Sequence, residues 1–216
     1  MPEWIAHDWI SQKEIFQGKK CSRLEFDLFE YGGRVLAAHD AEKVDSETLQ
    51  LSEALTLLKQ TELPLMCDLK SYNSGFLTKV AQAFSEMKWQ EPIIFSSHLA
   101  QDSRWVARRV NNALSSWSIP QVDLSGVNVP VPNSHQELMW QKENIHKRVV
   151  PMLRFDMCDI LAVQFELATP EMVEGVHDGG KKILAWTADQ PETVKQLEAL
   201  GVDGIITNNP DLIPGA

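Results

Sequence analysis

Short apolar runs recur along the chain at residues 4–7, 23–29, 65–70, 92–97, 161–166, 182–187 and 204–207. Runs of this length, bounded by turn residues and lacking strict alternation, suit strands buried on both faces of a parallel sheet. Amphipathic stretches separate them. Residues 46–60 carry Leu49, Leu55 and Leu58 at near-helical spacing, and 75–89 carry Phe76, Val80, Phe84 and Met87 in the same way, so both predict surface helices. Thr169-Pro170-Glu171 supplies an N-cap followed by proline at the first helical position, and Gly179-Gly180 closes that helix. Pro191-Glu192 to Leu200, ended by Gly201, repeats the device.

Strand and helix therefore alternate with short links, which specifies a parallel α/β sheet. The number of strands favours a closed TIM (β/α)8 barrel over an open doubly wound sheet. With 216 residues the chain has the roughly 200 that eight repeats need, and residues 1–216 are expected to form a single domain. Residues 100–148 fit the rhythm least and predict an atypical connection: a helix over 103–117, a Val- and Pro-rich loop over 127–132 and a polar helix over 135–147. The fifth strand is expected at 149–154, because Pro120 and Gly126 crowd the alternative at 121–124.

Charge narrows the choice of partner. A formal net charge of -10 offers no field for a polyanion, so nucleic-acid binding is not expected. No run of about 20 apolar residues exists to span a membrane, and Met1-Pro2-Glu3-Trp4 lacks the basic start of a signal peptide, so a cytoplasmic setting is expected. Cys21, Cys67 and Cys158 are too far apart for a metal clip and read as buried free thiols. Nothing in the pattern indicates an oligomeric state.

In a barrel of this kind, functional groups sit at the C-terminal ends of strands. Here those ends are His7, Glu25 and Asp27, Asp68 and Lys70, Ser96 and Ser97, and Trp186. Glu25 and Asp27 are two apart on a strand and share a face. With Asp68 they supply three hard oxygen ligands suited to Mg²⁺ or Ca²⁺. The same strand leads through Tyr31-Gly32-Gly33 to His39. A three-residue loop would set His39 opposite Glu25 on one face, whereas a two-residue loop would turn it away. Asp68 and Lys70 also suit a plain strand-end ion pair, and Trp186 also suits the core. His98, His135, His146 and His177 read as surface residues.

The order of these residues resembles the glycerophosphodiester phosphodiesterase family and its phospholipase C-like relatives. The resemblance is carried by Trp4-Ile5-Ala6-His7, Leu24-Glu25-Phe26-Asp27, His39-Asp40, Cys67-Asp68-Leu69-Lys70 and Ile93-Ile94-Phe95-Ser96-Ser97. Its most specific part is Ile183-Leu184-Ala185-Trp186-Thr187 followed by Leu200-Gly201-Val202-Asp203-Gly204-Ile205-Ile206-Thr207-Asn208-Asn209-Pro210. It implies a TIM barrel of the phospholipase C-like phosphodiesterase type, acting on a small phosphodiester in lipid metabolism. The cation, Mg²⁺ or Ca²⁺, would sit on Glu25, Asp27 and Asp68; His7 and His39 would be the acid/base pair; Lys70 and Trp186 would contact substrate. The chain departs from the family where His7 is followed by Asp8-Trp9 instead of Arg-Gly, and where no Glu-Asn-Thr precedes Glu25. The expected reaction is metal-dependent hydrolysis to an alcohol and a phosphomonoester. Its alternatives are lyase-type cleavage leaving a cyclic phosphate and a non-catalytic barrel that binds a phosphorylated ligand.

Overall fold

The computed structural model describes residues 1–14, 16, 20–119, 144–153 and 157–214. Eight parallel strands close into a barrel: β1 (Glu3–Ala6), β2 (Arg23–Tyr31), β4 (Leu65–Leu69), β5 (Ile93–Ser97), β6 (Ala113–Ile119), β7 (Ile160–Gln164), β8 (Lys182–Trp186) and β9 (Gly204–Thr207). Each pairs with the next in chain order, and β1 pairs with both β9 and β2, which shuts the cylinder. The barrel is the expected TIM (β/α)8 fold. Strand β3 (Arg34–Leu36) stands outside it as an antiparallel arm on the end of β2.

The described helices α1 (Trp9–Gln12), α2 (Leu51–Leu58), α3 (Ser74–Met87), α4 (Ala100–Ala107), α5 (His146–Leu153), α6 (Pro170–Asp178) and α7 (Pro191–Leu200) run between strands. The Asn73 side chain caps α3 by accepting from the Phe76 N–H at 2.8 Å, and Thr169 caps α6 through the Met172 N–H. Gly201 ends α7 with φ of 80°, the left-handed turn that glycine adopts without steric cost. Among the described residues, no helix is long and apolar enough to cross a membrane. Cys21, Cys67 and Cys158 are free and buried.

The apolar interior has two layers. One fills the space between strands and helices; a smaller one, including Ile5, Met66, Ile94, Leu184 and Ile206, fills the barrel's lumen. Toward the floor the lumen is plugged by Arg23, whose Nε donates to Glu3 at 2.9 Å and whose Nη1 donates to the carbonyls of Leu65 and Pro92. Gly204 belongs to this crowded level. A Cβ there would lie 2.6 Å from Leu184 Cδ2 and 3.3 Å from the Glu3 carbonyl oxygen.

Two expectations for the middle of the chain are corrected. Helix α4 stops at Ala107, and residues 113–117, expected to continue a helix from 103, belong to β6, which is the barrel's fifth strand. Val106, Val110, Leu114 and Trp117 fall at helical spacing, which masks the break; Asn112, at φ of 58°, makes the turn. The segment 149–154, expected as that fifth strand, instead lies on α5 through Leu153, where Val149 and Leu153 are buried one turn apart. The expected loop at 127–132, the alternative strand at 121–124, His135 and most of the polar helix at 135–147 lie outside the described residues.

The hairpin turn also resolves. Tyr31 pairs with Arg34 and Glu30 with Val35, so the loop is the two residues Gly32 and Gly33, both at positive φ (56° and 76°) as a type I′ turn requires. In this register His39 was expected to turn away. The ladder, however, ends at Leu36; Ala37 then donates its N–H to the Leu49 carbonyl at 2.9 Å, and the chain swings across the barrel mouth. Face alternation governs a residue only while its strand stays paired, so His39 is free of it.

Candidate active site

The upper lumen reverses the apolar rule of the lower. Glu25 and Asp27 are 3% and 6% exposed, facing inward from β2, and Asp68 faces them from β4 in register with Asp27. One oxygen from each of Glu25, Asp27 and Asp68 lies within 4.8 Å of the others. Lys70 follows β4 and places its Nζ 2.7 Å from Asp68 Oδ2 and 3.2 Å from Asp27 Oδ1. The Asp8 backbone N–H donates to Glu25 Oε2 at 2.8 Å.

One ammonium cannot balance three carboxylates. Burial, reinforced by Asp27, pushes the Glu25 carboxyl up to about 8. Burial also raises Asp27, against the pull of Lys70. Asp68 is drawn below the usual carboxylate range because the Lys70 ammonium outweighs the cost of its burial, and Lys70 is in turn held strongly protonated by Asp68 and Asp27 in spite of its own burial. Asp68 Oδ1 is buried with no hydrogen-bond partner. An orphaned carboxylate oxygen beside an uncompensated buried carboxyl is what a hard divalent cation would satisfy, so the donor set fits one.

Two imidazoles flank the acids. His7 Nδ1 lies 2.8 Å from Asn208 Oδ1, and its Nε2 lies 3.9 Å from Glu25 Oε2. The Asn208 amide is oriented by its neighbours: its Nδ2 donates to Asp189 Oδ2 at 2.8 Å and its Oδ1 accepts from Gln12 Nε2 at 2.8 Å. An acceptor at Oδ1 makes Nδ1 of His7 the protonated nitrogen, leaving Nε2 on the Glu25 side. Burial works to lower the His7 pKa, but Glu25 and the Asn208 bond outweigh it and the net shift is upward. His39 is exposed, and its Nδ1 lies 2.8 Å from Asp40 Oδ2, a carboxylate that also takes the backbone N–H groups of Glu42 and Lys43. Both histidines thus have Nδ1 engaged by an acceptor.

These groups border a cavity of about 250 Å³ shared by His7, Glu25, His39, Asp68, Lys70 and Trp186. Met66 and Ile206 form its apolar base, and Ser96, Ser118 and His98 its far wall. The seven residues singled out from the sequence therefore converge, with Asp27 joined through the acidic cluster. His98, expected on the surface, is corrected to a cavity residue; it follows β5, whose end faces the mouth. His177 is on the surface, bonded to Asp203 at 2.9 Å, and His146 is half-buried on α5. Asp8, Gln12, Asp189 and Asn208 had no assigned role in the sequence. Asn208 lies inside the C-terminal motif, but its bond to His7 spans 201 positions and carries no local signal.

The loop Gly201-Val202-Asp203-Gly204 precedes β9 and so lies at the barrel floor, with the Asp203 carboxylate taking the Ile183 N–H at 2.8 Å. It is remote from the acids.

Fold and site together define a (β/α)8 barrel whose mouth gathers three carboxylates, an ammonium and two oriented imidazoles. The model of the glycerophosphoryl diester phosphodiesterase family matches residues 50–212, and the chain belongs to that family. The match starts beyond His7, Glu25, Asp27 and His39. A glycerophosphodiester phosphodiesterase of Caldanaerobacter subterraneus is 43% identical over 44 residues, which are 20% of this chain and 18% of that protein. The chain spans under a fifth of the length of the curated bacterial relatives it matches in this way. The solved structure of an Oleispira antarctica phosphodiesterase, in complex with the product sn-glycerol-3-phosphate, superposes with a TM-score of 0.70 at 18% identity, covering 99% of this chain and 95% of that one. A glycerophosphodiester phosphodiesterase from Parabacteroides distasonis gives 0.70 at 16% identity over 97% and 94% of the two chains. The family is generally dependent on a divalent metal, and this chain has an acidic cluster at the corresponding barrel mouth.

Proposed function

We propose that the protein hydrolyses a glycerophosphodiester-like phosphodiester to an alcohol and a phosphomonoester. The observation that carries this reading is the convergence of Glu25, Asp27 and Asp68 within 4.8 Å beside two histidines whose Nδ1 atoms are both engaged. Glu25, Asp27 and Asp68 would hold the divalent cation, Mg²⁺ or Ca²⁺. When bound it supplies Lewis-acid stabilisation of charge on the phosphoryl oxygens.

The remaining roles belong to the chain's own side chains. Lys70 places a permanent positive charge at the same centre, favouring the transition state in which the equatorial oxygens gain charge. With Nδ1 occupied, His7 and His39 each keep Nε2 for proton transfer, one accepting from the nucleophile and the other donating to the departing alkoxide. Trp186, Met66 and Ile206 offer an apolar wall to the carbon skeleton of one alcohol. Where the family places an arginine, Asp8 contributes a backbone N–H to Glu25 instead, so phosphate charge falls to Lys70 and to His98 across the cavity. The buried, unpaired thiols suit a reducing cytoplasm.

The test is phosphorus NMR of the products from a glycerophosphodiester with Mg²⁺ or Ca²⁺ present and after chelation. A phosphomonoester that disappears with chelator, and in His39→Ala, is expected. A cyclic phosphate as final product would assign lyase chemistry instead. Full turnover in the His7→Ala, His39→Ala double variant would overturn the mechanism, and absence of any turnover with retained phosphate binding would leave a binding barrel.

A further inference from the structure

The catalytic cavity is not closed on its outer side. His39 borders it and also borders a second, larger cavity of about 510 Å³, which lies between the α1 region and the segment 37–49 that crosses the mouth. The first cavity alone is below the roughly 300 Å³ at which small-molecule sites begin; the second is well inside that range. A diester has two alcohols on one phosphorus. If the phosphoryl group sits on the acidic cluster and one alcohol lies against Trp186, the other must leave past His39.

The wall of this outer groove is built rather than loose. The Asp45 carboxylate accepts from the Thr48 hydroxyl and the Glu47 N–H, each at 2.9 Å, while the Thr48 hydroxyl oxygen accepts from the Asp45 N–H at 2.9 Å. Asp40 holds the preceding turn through Glu42 and Lys43. These bonds hold the loop's backbone and leave Lys13 and Lys43 on the groove without an ion-pair partner among the described residues. Asp8 and Glu47 bring carboxylates to the same space, and Ser11 brings a hydroxyl. Donors and acceptors thus alternate around one groove.

That pattern selects among alcohols. A trimethylammonium group seeks an aromatic cage; among the described lining residues there is no Trp, Tyr or Phe, and two ammonium groups would repel it. A second phosphate would meet three carboxylates, those of Asp8, Asp45 and Glu47. A neutral alcohol carrying many hydroxyls satisfies both kinds of group, since each O–H donates to a carboxylate and accepts from an ammonium. We infer that the groove between α1 and residues 37–49 is a subsite for a hydroxyl-rich, ring-sized alcohol, a cyclitol or hexose, on the departing side of the diester. The inference rests on the diesterase reading above and adds its substrate class.

The experiment compares kcat/KM for glycerophosphoinositol and glycerophosphocholine and, separately, records saturation-transfer NMR of free myo-inositol and free choline, which needs no turnover. Expected is a preference of roughly tenfold or more for the inositol diester, in line with sites built to bond substrate hydroxyls. Lys43→Ala should collapse that ratio and the inositol transfer, and Lys43→Arg, which keeps a donor, should retain them. Lys43 is exposed, so the substitution leaves the fold intact. Equal or choline-favouring turnover overturns the subsite, as does an absence of inositol transfer. If neither diester is hydrolysed but inositol transfer is present and lost in Lys43→Ala, the activity reading falls while the subsite stands.

Discussion

His7 and Asn208 stand at opposite ends of the chain, yet the Nδ1 of one lies 2.8 Å from the Oδ1 of the other. Strands β1 and β9 are neighbours, with Ala6 paired to Thr207, so the residues just past their ends must meet. Asp189 completes the arrangement by taking both the N–H and the side-chain amide of Asn208. Asn208 is a positioning residue for an imidazole. Asn208→Ala is expected to lower kcat by about tenfold, the order of one hydrogen bond to a charged group, with little change in KM. Because this bond helps raise the His7 pKa, the His7 limb of the pH–rate profile should move to lower pH in the variant. Nitrogen-detected NMR of the wild type should find the proton on Nδ1.

The acidic cluster predicts proton-linked metal binding. In the metal-free protein Glu25 keeps its proton up to about 8, so a cation must displace that proton near neutrality. Calorimetry at pH 7 in buffers of different ionisation enthalpy should detect release of a proton, and Glu25→Gln should remove it. Asp68→Asn takes away the oxygen that lacks a partner and should weaken binding by more than the roughly 10- to 100-fold that outer partners of a metal site are worth. Unchanged affinity in Asp68→Asn would mean that the cation sits elsewhere.

Asp102, in the first turn of α4, is buried, and its Oδ2 has no partner. Burial holds its carboxyl above the usual range in the folded chain. The folded state therefore binds this proton more tightly than the unfolded state does, and stability is lost as pH rises from the unfolded pKa through the folded one. Asp102→Asn should stabilise the protein at pH 8 by about 1 kcal/mol, the order of one unsatisfied buried group. The gain should vanish below about pH 4, where both states carry the proton. Urea unfolding at the two pH values reads this directly, and a gain independent of pH would contradict it.

Two glycines are predicted to resist replacement for different reasons. At Gly204 the added methyl would collide with Leu184 and approach the Glu3 carbonyl, so Gly204→Ala should cost about 1–3 kcal/mol through overpacking. At Gly33 there is open space but φ is 76°, so Gly33→Ala should cost about 1–2 kcal/mol through the left-handed backbone alone. Thermal unfolding should show both losses. Replacing Leu184 by a smaller residue should recover stability only in the Gly204 variant.

Much of the barrel is legible in the pattern of the chain because its rules are local. Phe26 and Leu28 alternate with Glu25 and Asp27 along β2, and that alternation alone places both acids on one face. Thr169-Pro170 and the Gly179 stop bracket α6 through contacts within a few residues. Where a local rule has two readings it misleads. The spacing of Val106, Val110, Leu114 and Trp117 satisfies a helix, but parallel pairing with β5 and β7 draws 113–119 into a strand.

By itself, then, the sequence determined the alternation of strands and helices, the shared face of Glu25 and Asp27, and a list of strand ends carrying His7, Asp68, Lys70 and Trp186. Periodicities of two and of 3.6 residues follow from backbone geometry, which each segment carries wherever it lies. Only the tertiary structure decided that Asn208 meets His7, that His98 faces the cavity, and that His39 reaches the mouth although its hairpin takes the two-residue register. Those contacts arise from closing eight strands and from the turn that ends β3 after Leu36. They depend on which segments become neighbours, and no periodicity along the chain encodes that.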